Sequence, residues 1–463
     1  MIKNVYFIGI GGIGMSALAR YFMHEGMGVA GYDLTETPLT RALSAEGASV
    51  HYEDSVGAIP LEFRDPATTL VVFTPAVPAD HSELSWFLDS GFMVEKRSEM
   101  LGHVAEGKFT MAVAGTHGKT TTTTLVAWLN SQVAGEGSAF LGGISKNFDS
   151  NLVLGKGDRL AVEADEFDRS FLRLSPDVAV VTSVDADHLD IYGTHDAVRE
   201  AFSQFVDRIR AGGAAILNSR VDIEVRNPRI ETYSYSLDDP AADFHAENLR
   251  PLAGGYYEYD IVTPDGRIAD CRLGITGRIN VENSVAAVAM MWAAAKMRGE
   301  TLDPEKLREG LATFTGVRRR FDIRVESPAA TYIDDYAHHP RELEAALGSI
   351  REMLPDRRIT AIFQPHLYTR TRDFHAEFAD ALSKADELIL TPIYPAREEP
   401  IEGVDAEMIG RLVTSIPWSV VPKERLAEVI AKRPTDVVVT FGAGNIENHC
   451  EEIAAAVKQK INA

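Results

Sequence analysis

Strand-like runs alternate with helix-like runs along most of the chain, and two glycine-rich turns each follow a strand and open a helix. Together these predict an α/β protein built on parallel sheets. A length of 463 residues exceeds one ordinary hydrophobic core and predicts two to three domains. The pattern shifts near Glu106 and Gly107 and again over 316–320, which places three, at residues 1–107, 108–317 and 318–463.

The first domain opens with a strand pattern over 4–10, and Gly9, Gly11 and Gly14 supply the G-x-G-x-x-G spacing. A helix pattern over 15–25 and a second strand ending at Asp33 follow. This is a Rossmann-type opening. Its glycines allow a tight turn whose N–H groups approach a pyrophosphate, and Asp33 is placed to accept from a ribose. A UDP-sugar fits the turn as well as a nicotinamide cofactor does, and Asp33 is equally readable as a strand-end turn residue. A further strand ends at Thr74 before a proline-stiffened turn, and Arg97 follows the next short strand. Both lie at the edge where ligands bind in open α/β sheets.

The second domain is organised around Met111 to Thr124, MAVAGTHGKTTTTT. An apolar strand ends at Ala114. Gly115, Thr116, His117 and Gly118 form a turn, and Lys119, Thr120 and Thr121 start a helix. Such a turn cradles phosphate: its N–H groups and the helix N-terminus face the anion, the lysine adds charge, and the threonine offers a hydroxyl to magnesium. The first glycine sits at Gly115 rather than at position 113, a shortened form of the general loop. Downstream, a strand over 160–162 empties into Glu163, Asp165, Glu166 and Asp168, a carboxylate density that needs a cation or water. Magnesium, held by one or two carboxylates plus phosphate oxygens, is the natural cation. The next strand, over 178–184, leads to Asp185, Asp187, His188 and Asp190. There His188 is balanced between a second metal ligand and a structural histidine. Short strands and turns fill 213–275. An alanine-rich helix over 280–297 then carries Asn280 and Asn283 on its first turn, as adenine contacts or as caps.

At 316–320 the run GVRRR would bring a guanidinium to transferring phosphate, a solvated linker being the alternative. Strands near Tyr332, Ala361, Leu388 and Val437 alternate with helices and imply another parallel sheet. Three polar groups follow successive strands: Asp334, Asp335, Tyr336, His338 and His339; Gln364, His366, Tyr368 and Arg370; Tyr394, Arg397 and Glu398. They would line one ligand-binding edge.

Composition narrows the function class. A hydrophobic fraction of 45% and a charged fraction of 25% are those of a soluble globular protein, and a net charge of -22 argues against a nucleic-acid partner. Small molecules are the expected partners. Cys271 and Cys450 have no disulfide or zinc spacing. No apolar run is long enough for a bilayer, so no membrane partner and a cytoplasmic location are expected.

In their order, these motifs resemble the Mur ligases of peptidoglycan precursor synthesis over nearly the whole length. The likeness is carried by GIGGIGMS at 9–16, GTHGKTTTT at 115–123, EADEFDRSF at 163–171 and DHLD at 187–190. RRF at 319–321, DDYAHHP at 334–340, FQPHLYTRT at 363–371 and the stretch 394–403 complete it. The resemblance implies a Rossmann-like N-terminal domain, a central P-loop ATPase-like domain and a Rossmann-like C-terminal domain. It implies ATP-dependent ligation of L-alanine to the lactyl carboxylate of UDP-N-acetylmuramate through an acyl phosphate, with two Mg2+ ions, in the bacterial cytoplasm. It assigns Gly9, Gly11, Gly12, Gly14, Asp33, Thr74 and Arg97 to the UDP-sugar. ATP receives Gly115 through Thr121 with Asn283, Arg320 and Asp335. Thr120 and Glu166 receive one magnesium and His188 the second. Tyr336, His338, His366, Tyr368 and Arg370 receive the amino acid, and Lys119, Arg320, His338, His366 and Arg370 are the catalytic group. Ile279, Tyr32 and Phe167 depart from the family, which carries histidine, a small residue and serine there. Monomer and homodimer both stay open. The rival readings are a recycling ligase that adds a whole tripeptide to the same UDP-sugar, and a nucleotide-sensing binding protein. A Rossmann oxidoreductase leaves the ATP loop and the acidic cluster without a purpose.

Overall fold

The computed structural model describes residues 2–461 except Ala79, Glu136, Asp187, His188 and Arg397, and the side chains of Leu189 and Asp190. Two compact units make up the chain. One comprises the chain up to Arg250 with Tyr257–Ile275 and Ile279–Gly316; the other comprises Pro251–Tyr256, Thr276–Arg278 and the chain from Val317.

The first unit holds two sheets. In the smaller, β1 (Asn4–Ile8), β2 (Gly28–Tyr32), β3 (Ser49–His51), β4 (Thr69–Phe73) and β5 (Met93–Lys96) run parallel in the order β3-β2-β1-β4-β5. Val5 and Phe7 pack on one face, Tyr6 and Ile8 on the other. Burial on both sides explains why β1 reads as an unbroken apolar run. The order reverses between β1 and β4, where the glycine turn leads into α1 (Ile13–His24). β1 stops at Ile8, short of the predicted end, because Gly9 takes φ +87° and turns the chain out of the sheet. α2 (Pro38–Glu46) begins with Thr37 accepting from the Thr40 N–H and with Pro38 in the first turn.

The second sheet contains β6 (Phe109–Ala114), β7 (Ser138–Ser145), β8 (Ser150–Val153), β9 (Arg159–Glu163), β10 (Val178–Val181), β11 (Ala214–Asn218), β12 (Glu231–Ser236), β13 (Phe244–Pro251), β14 (Tyr257–Thr263) and β15 (Gly266–Arg272). Their order is β15-β14-β13-β12-β11-β10-β6-β9-β7-β8. The centre, β7-β9-β6-β10-β11, is parallel, whereas β7 with β8 and β14 with β15 are antiparallel hairpins. Leu125, Val126 and Leu129 of the Lys119–Val133 helix share one core with Val285, Val288 and Ala289 of the Arg278–Arg298 helix and with Val113 of β6. Among the described residues no helix is long and apolar enough to cross a membrane.

In the second unit, β16 (Asp322–Glu326) is antiparallel to β17 (Thr331–Asp335). β18 (Ile359–Phe363), β19 (Glu387–Leu390), β20 (Trp418–Val420) and β21 (Val437–Phe441) complete the order β16-β17-β21-β18-β19-β20. The last strand slots between β17 and β18, so the carboxyl ends of five parallel strands, β17, β21, β18, β19 and β20, share one edge. The sequence pattern indicates β17, β18, β19 and β21 and omits β16 and β20, the outer pair.

Candidate active site

Five buried residues of β6, Thr110 to Ala114, lead the chain into the glycine turn. Gly115 takes φ +138° and Gly118 φ +79°, both unfavourable for a side chain. A Cβ on Gly115 would fall 1.9 Å from Thr182 Oγ1, and one on Gly118 would fall 2.8 Å from Asn283 Oδ1. The turn is thus walled by the segment after β10 on one side and by Asn283 on the other. Thr182 N donates to Ala114 O at 2.9 Å, Thr116 N to Ser183 O at 3.1 Å and His117 N to Ser183 Oγ at 2.9 Å. These bonds end β10 at Val181, before the predicted 184. The His117 ring stands 3.4 Å from Asp185 Oδ2.

The acidic stretch after β9 separates into four environments. Lys119 Nζ donates to Gly115 O at 2.6 Å and lies 2.9 Å from Glu166 Oε1 and 2.8 Å from Oε2. Thr120 Oγ1 donates to Glu163 Oε1 at 3.1 Å, while Glu163 Oε2 accepts from Gly142 N at 3.1 Å. Asp165 pairs with Arg97 at 3.1 Å, and Asp168 with Lys96 at 3.4 Å. The expected compensating cation is therefore, in large part, a set of three side chains. Asp168 and Arg169 adopt left-handed φ of 51° and 56°, which turns the chain just after Glu166, where Asp168 meets Lys96. Burial disfavours charge on Lys119 most strongly, but Glu166, Glu163 and Asp165 outweigh it and hold the ammonium above its ordinary pKa.

Thr120 and Glu166 thus face the cradle from two sides, and Glu163, absent from the expected ligand set, contacts Thr120 directly. Hydroxyl and carboxylate oxygens are the hard donors magnesium takes together with phosphate oxygens. The donor chemistry fits. His188 lies outside the described residues, as does Arg397.

A cleft of about 260 Å³ opens beside the cradle, lined by Gly12, Ile13, Gly14, Thr74 and Arg97 from the smaller sheet and by Phe140, Gly142, Glu163 and Asp165 from the larger. Gly14 is pressed against Arg97: a Cβ there would sit 2.8 Å from its Nη1. Gly9 and Gly11 do not line this cleft: Gly9 faces Thr74, and Gly11 N donates to Asp33 Oδ2 at 2.7 Å. Burial raises the Asp33 pKa, and backbone bonds from Gly11, Thr35 and Leu34 oppose the rise. Tyr32, the departure next to Asp33, packs edge-on against His81 with centroids 4.5 Å apart.

In the second unit the polar groups meet as their positions after strands suggest. Asp335 accepts from Phe321 N at 2.6 Å and Ala337 N at 2.8 Å, and burial pushes its pKa up to about 6 despite those bonds. His338 lies 5.5 Å from the Tyr336 ring and 6.1 Å from His366, which lies 5.6 Å from Tyr394. Arg319 and Arg320 each place a guanidinium 5.0 Å from the Tyr336 ring centre. They part company beyond that contact. Arg319 turns inward to Asp334, Glu447 and Gly442 O, so one of the three linker arginines is a structural anchor. Tyr368 and Arg370 open the Tyr368–Leu382 helix, whose start is held by Thr369 N donating to Glu398 at 3.0 Å. The sequence places Glu398 at the ligand-binding edge and Arg319 in the linker run, but not as anchors of the Tyr368–Leu382 helix and of Asp334, because nothing local separates them from the neighbouring charges.

Three consecutive domain families match this chain. Residues 4–109 match the domain described as Mur ligase family, catalytic domain; 113–291 the Mur ligase middle domain; and 319–444 the Mur ligase, glutamate ligase domain. The chain belongs to the Mur ligase family. Among curated Mur ligases it is 47% identical to the UDP-N-acetylmuramate–L-alanine ligase of Phocaeicola vulgatus over 99% of both chains. It is 48% identical to that of Parabacteroides distasonis over 99% of this chain and 98% of the relative. Among solved structures it resembles UDP-N-acetylmuramate-alanine ligase from Thermotoga maritima at 27% identity, with a TM-score of 0.81 over 99% of both chains. A murein peptide ligase from Psychrobacter arcticus shares the fold at 22% identity and a TM-score of 0.73, covering 98% of both chains.

Proposed function

We propose that this chain is an ATP-dependent acid–amino acid ligase that joins L-alanine to the lactyl carboxylate of UDP-N-acetylmuramate, releasing ADP and phosphate. What carries the reading is end-to-end identity of 47–48% to relatives named for that ligation. A carboxylate is a poor acyl donor. The γ-phosphoryl of ATP therefore passes first to the lactyl carboxylate, and the alanine amine then attacks the acyl phosphate and expels phosphate.

In this reading residues 1–107 bind the UDP-sugar, 108–317 the ATP and 318–463 the amino acid. The N–H groups of 115–118 and the Lys119 ammonium would take the β- and γ-phosphates, with Thr121 on the same turn and Asn283 toward adenine. Thr120, Glu163 and Glu166 would hold one magnesium and His188 a second; bound there, the metal neutralises phosphoryl oxygens. Gly9, Gly11, Gly12, Gly14, Asp33, Thr74 and Arg97 would hold the UDP-sugar. Arg320 and Asp335 are assigned to the nucleotide, and Tyr336, His338, His366, Tyr368 and Arg370 to alanine, where Arg370 suits the carboxylate. His338 would take the amine proton.

The test is phosphate release with ATP, magnesium, UDP-N-acetylmuramate and one amine at a time. L-Alanine is the expected best substrate, with glycine and L-serine weaker; loss of the methyl alone should lower efficiency ~10–200-fold. A clear preference for L-alanyl-γ-D-glutamyl-meso-diaminopimelate would overturn the alanine assignment in favour of a tripeptide-adding ligase.

A further inference from the structure

A side chain from the larger sheet holds the first turn of α1. Asn151, on β8, is wholly buried, as is Ser16. Its Nδ2 donates to Ile13 O at 2.6 Å and to Ser16 Oγ at 2.9 Å, and its Oδ1 accepts from Arg20 Nη1 at 2.5 Å. Arg20 in turn grips Glu46 of α2 through two bonds of 2.7 Å. Ser16 closes the circuit locally, its hydroxyl donating to Ile13 O at 3.0 Å and its N–H to Gly12 O at 2.8 Å.

The helix's own bonds fix the glycine turn relative to α1, but they do not fix it relative to the opposite wall of the cleft. That wall, Phe140 to Gly142 and Glu163, belongs to β7 and β9, and β8 is the antiparallel partner of β7. Apolar packing between the two sheets resists separation and tolerates sliding. An amide with three directed hydrogen bonds does not tolerate sliding, because a shift of an ångström breaks bonds whose donors and acceptors are buried from water.

We propose that Asn151 is a positioning residue for the UDP-sugar: it sets the register between the diphosphate-binding glycine turn and the sheet edge that carries Glu163. This rests on the reading of that turn as the UDP-sugar site. Arg20 is its support, since it orients the amide so that the donor, rather than the acceptor, faces Ile13.

Asn151→Asp keeps the size and the acceptor toward Arg20 but turns an oxygen toward the Ile13 carbonyl. Arg20→Gln leaves Asn151 in place without its orienting partner. UDP binding by titration calorimetry, KM for UDP-N-acetylmuramate and for ATP, and melting temperature are measured on both variants, on Ser16→Ala and on the unaltered protein. Asn151→Asp should weaken UDP binding and raise the UDP-sugar KM by about tenfold, the effect of one buried hydrogen bond, with the ATP KM unchanged. Arg20→Gln and Ser16→Ala should move the same two quantities, by less. Should Asn151→Asp not fold, these two variants decide. UDP affinity and UDP-sugar KM left unchanged in the variants that fold would overturn the proposal, as would equal rises in both KM values with a lowered melting temperature, which mark general loosening. If the unaltered protein does not bind UDP, the reading of the glycine turn fails first and takes the proposal with it.

Discussion

Lys119 Nζ is within 2.9 Å of both carboxylate oxygens of Glu166, a residue 1% exposed, and 2.6 Å from the Gly115 carbonyl at the mouth of the cradle. The cation that the cradle would offer to phosphate is thus already neutralised by a buried partner, and the pair acts as a unit.

Lys119→Met should lower ligation ~10²–10³-fold, the usual effect of removing one preorganised charge donor, with UDP affinity intact. It should also leave Glu166 buried without its cation, at a cost of about 3–5 kcal/mol in stability. Thermal melts check this: the double variant Lys119→Met with Glu166→Gln should recover much of the lost melting temperature without recovering activity. Near-normal turnover in the single variant would remove Lys119 from the chemistry.

Glu163 accepts from the Thr120 hydroxyl, so its carboxylate faces the position where the threonine would share a metal. Glu163→Gln and Glu166→Gln should each raise the magnesium concentration for half-maximal rate, with partial recovery in excess metal. An unaltered magnesium requirement in both would assign these carboxylates to structure alone.

Burial, with Arg370 and Arg320 adding to it against Glu342, depresses the pKa of His338 below its ordinary 6.5, so the ring is neutral at pH 7 and can accept a proton. At saturating substrates kcat should hold level from pH 8 to about 6.5 and fall below that. His338→Gln should abolish this acid limb while lowering kcat ~10²–10⁴-fold. The same limb persisting in the variant would point to another base.

Glu83, in the Ser82–Asp89 helix, is fully buried against the smaller sheet, where Tyr6 donates to it at 2.7 Å and His51 lies 3.3 Å away. Burial raises its pKa from 4.5 to about 7, with Asp54 adding to the rise and the bonds from Tyr6 and Ser55 N opposing it. The folded state therefore holds this proton more tightly than the unfolded chain. The stabilisation is complete below pH 4.5 and is lost as pH rises through about 7, by roughly 3 kcal/mol in all. Glu83→Gln should raise the melting temperature at pH 8 relative to the parent and flatten its decline between pH 5 and 8; Asp335, raised to about 6, leaves a residual slope of the same sign. A variant less stable at pH 8 than at pH 5, relative to the parent, would contradict this account.

The sequence by itself determined the elements and the chemistry that is contiguous along the chain. Gly115 to Thr121 form a tight strand-to-helix turn because two positive-φ glycines, a lysine and a threonine are neighbours, and neighbours at such a turn need no distant partner to converge. The apolar periodicity likewise marked β1, β6, β10 and the central strands of the last sheet, and the polar groups that follow them. Tertiary structure decided which like-charged residue meets which partner. Glu163 and Glu166 are separated by two residues, yet one turns to Thr120 and the other to Lys119, because β9 ends at Glu163 and the chain has left the sheet by Glu166, whose backbone is already helical. Arg319 and Arg320 are adjacent, yet Arg319 turns inward to Asp334 and Glu447. Asn151 reaches Ile13 across 138 positions of sequence. Hydrophobic patterning encodes which face of an element is buried, whereas the pairing of polar side chains depends on where the folded chain brings their tips, and no local pattern carries that information.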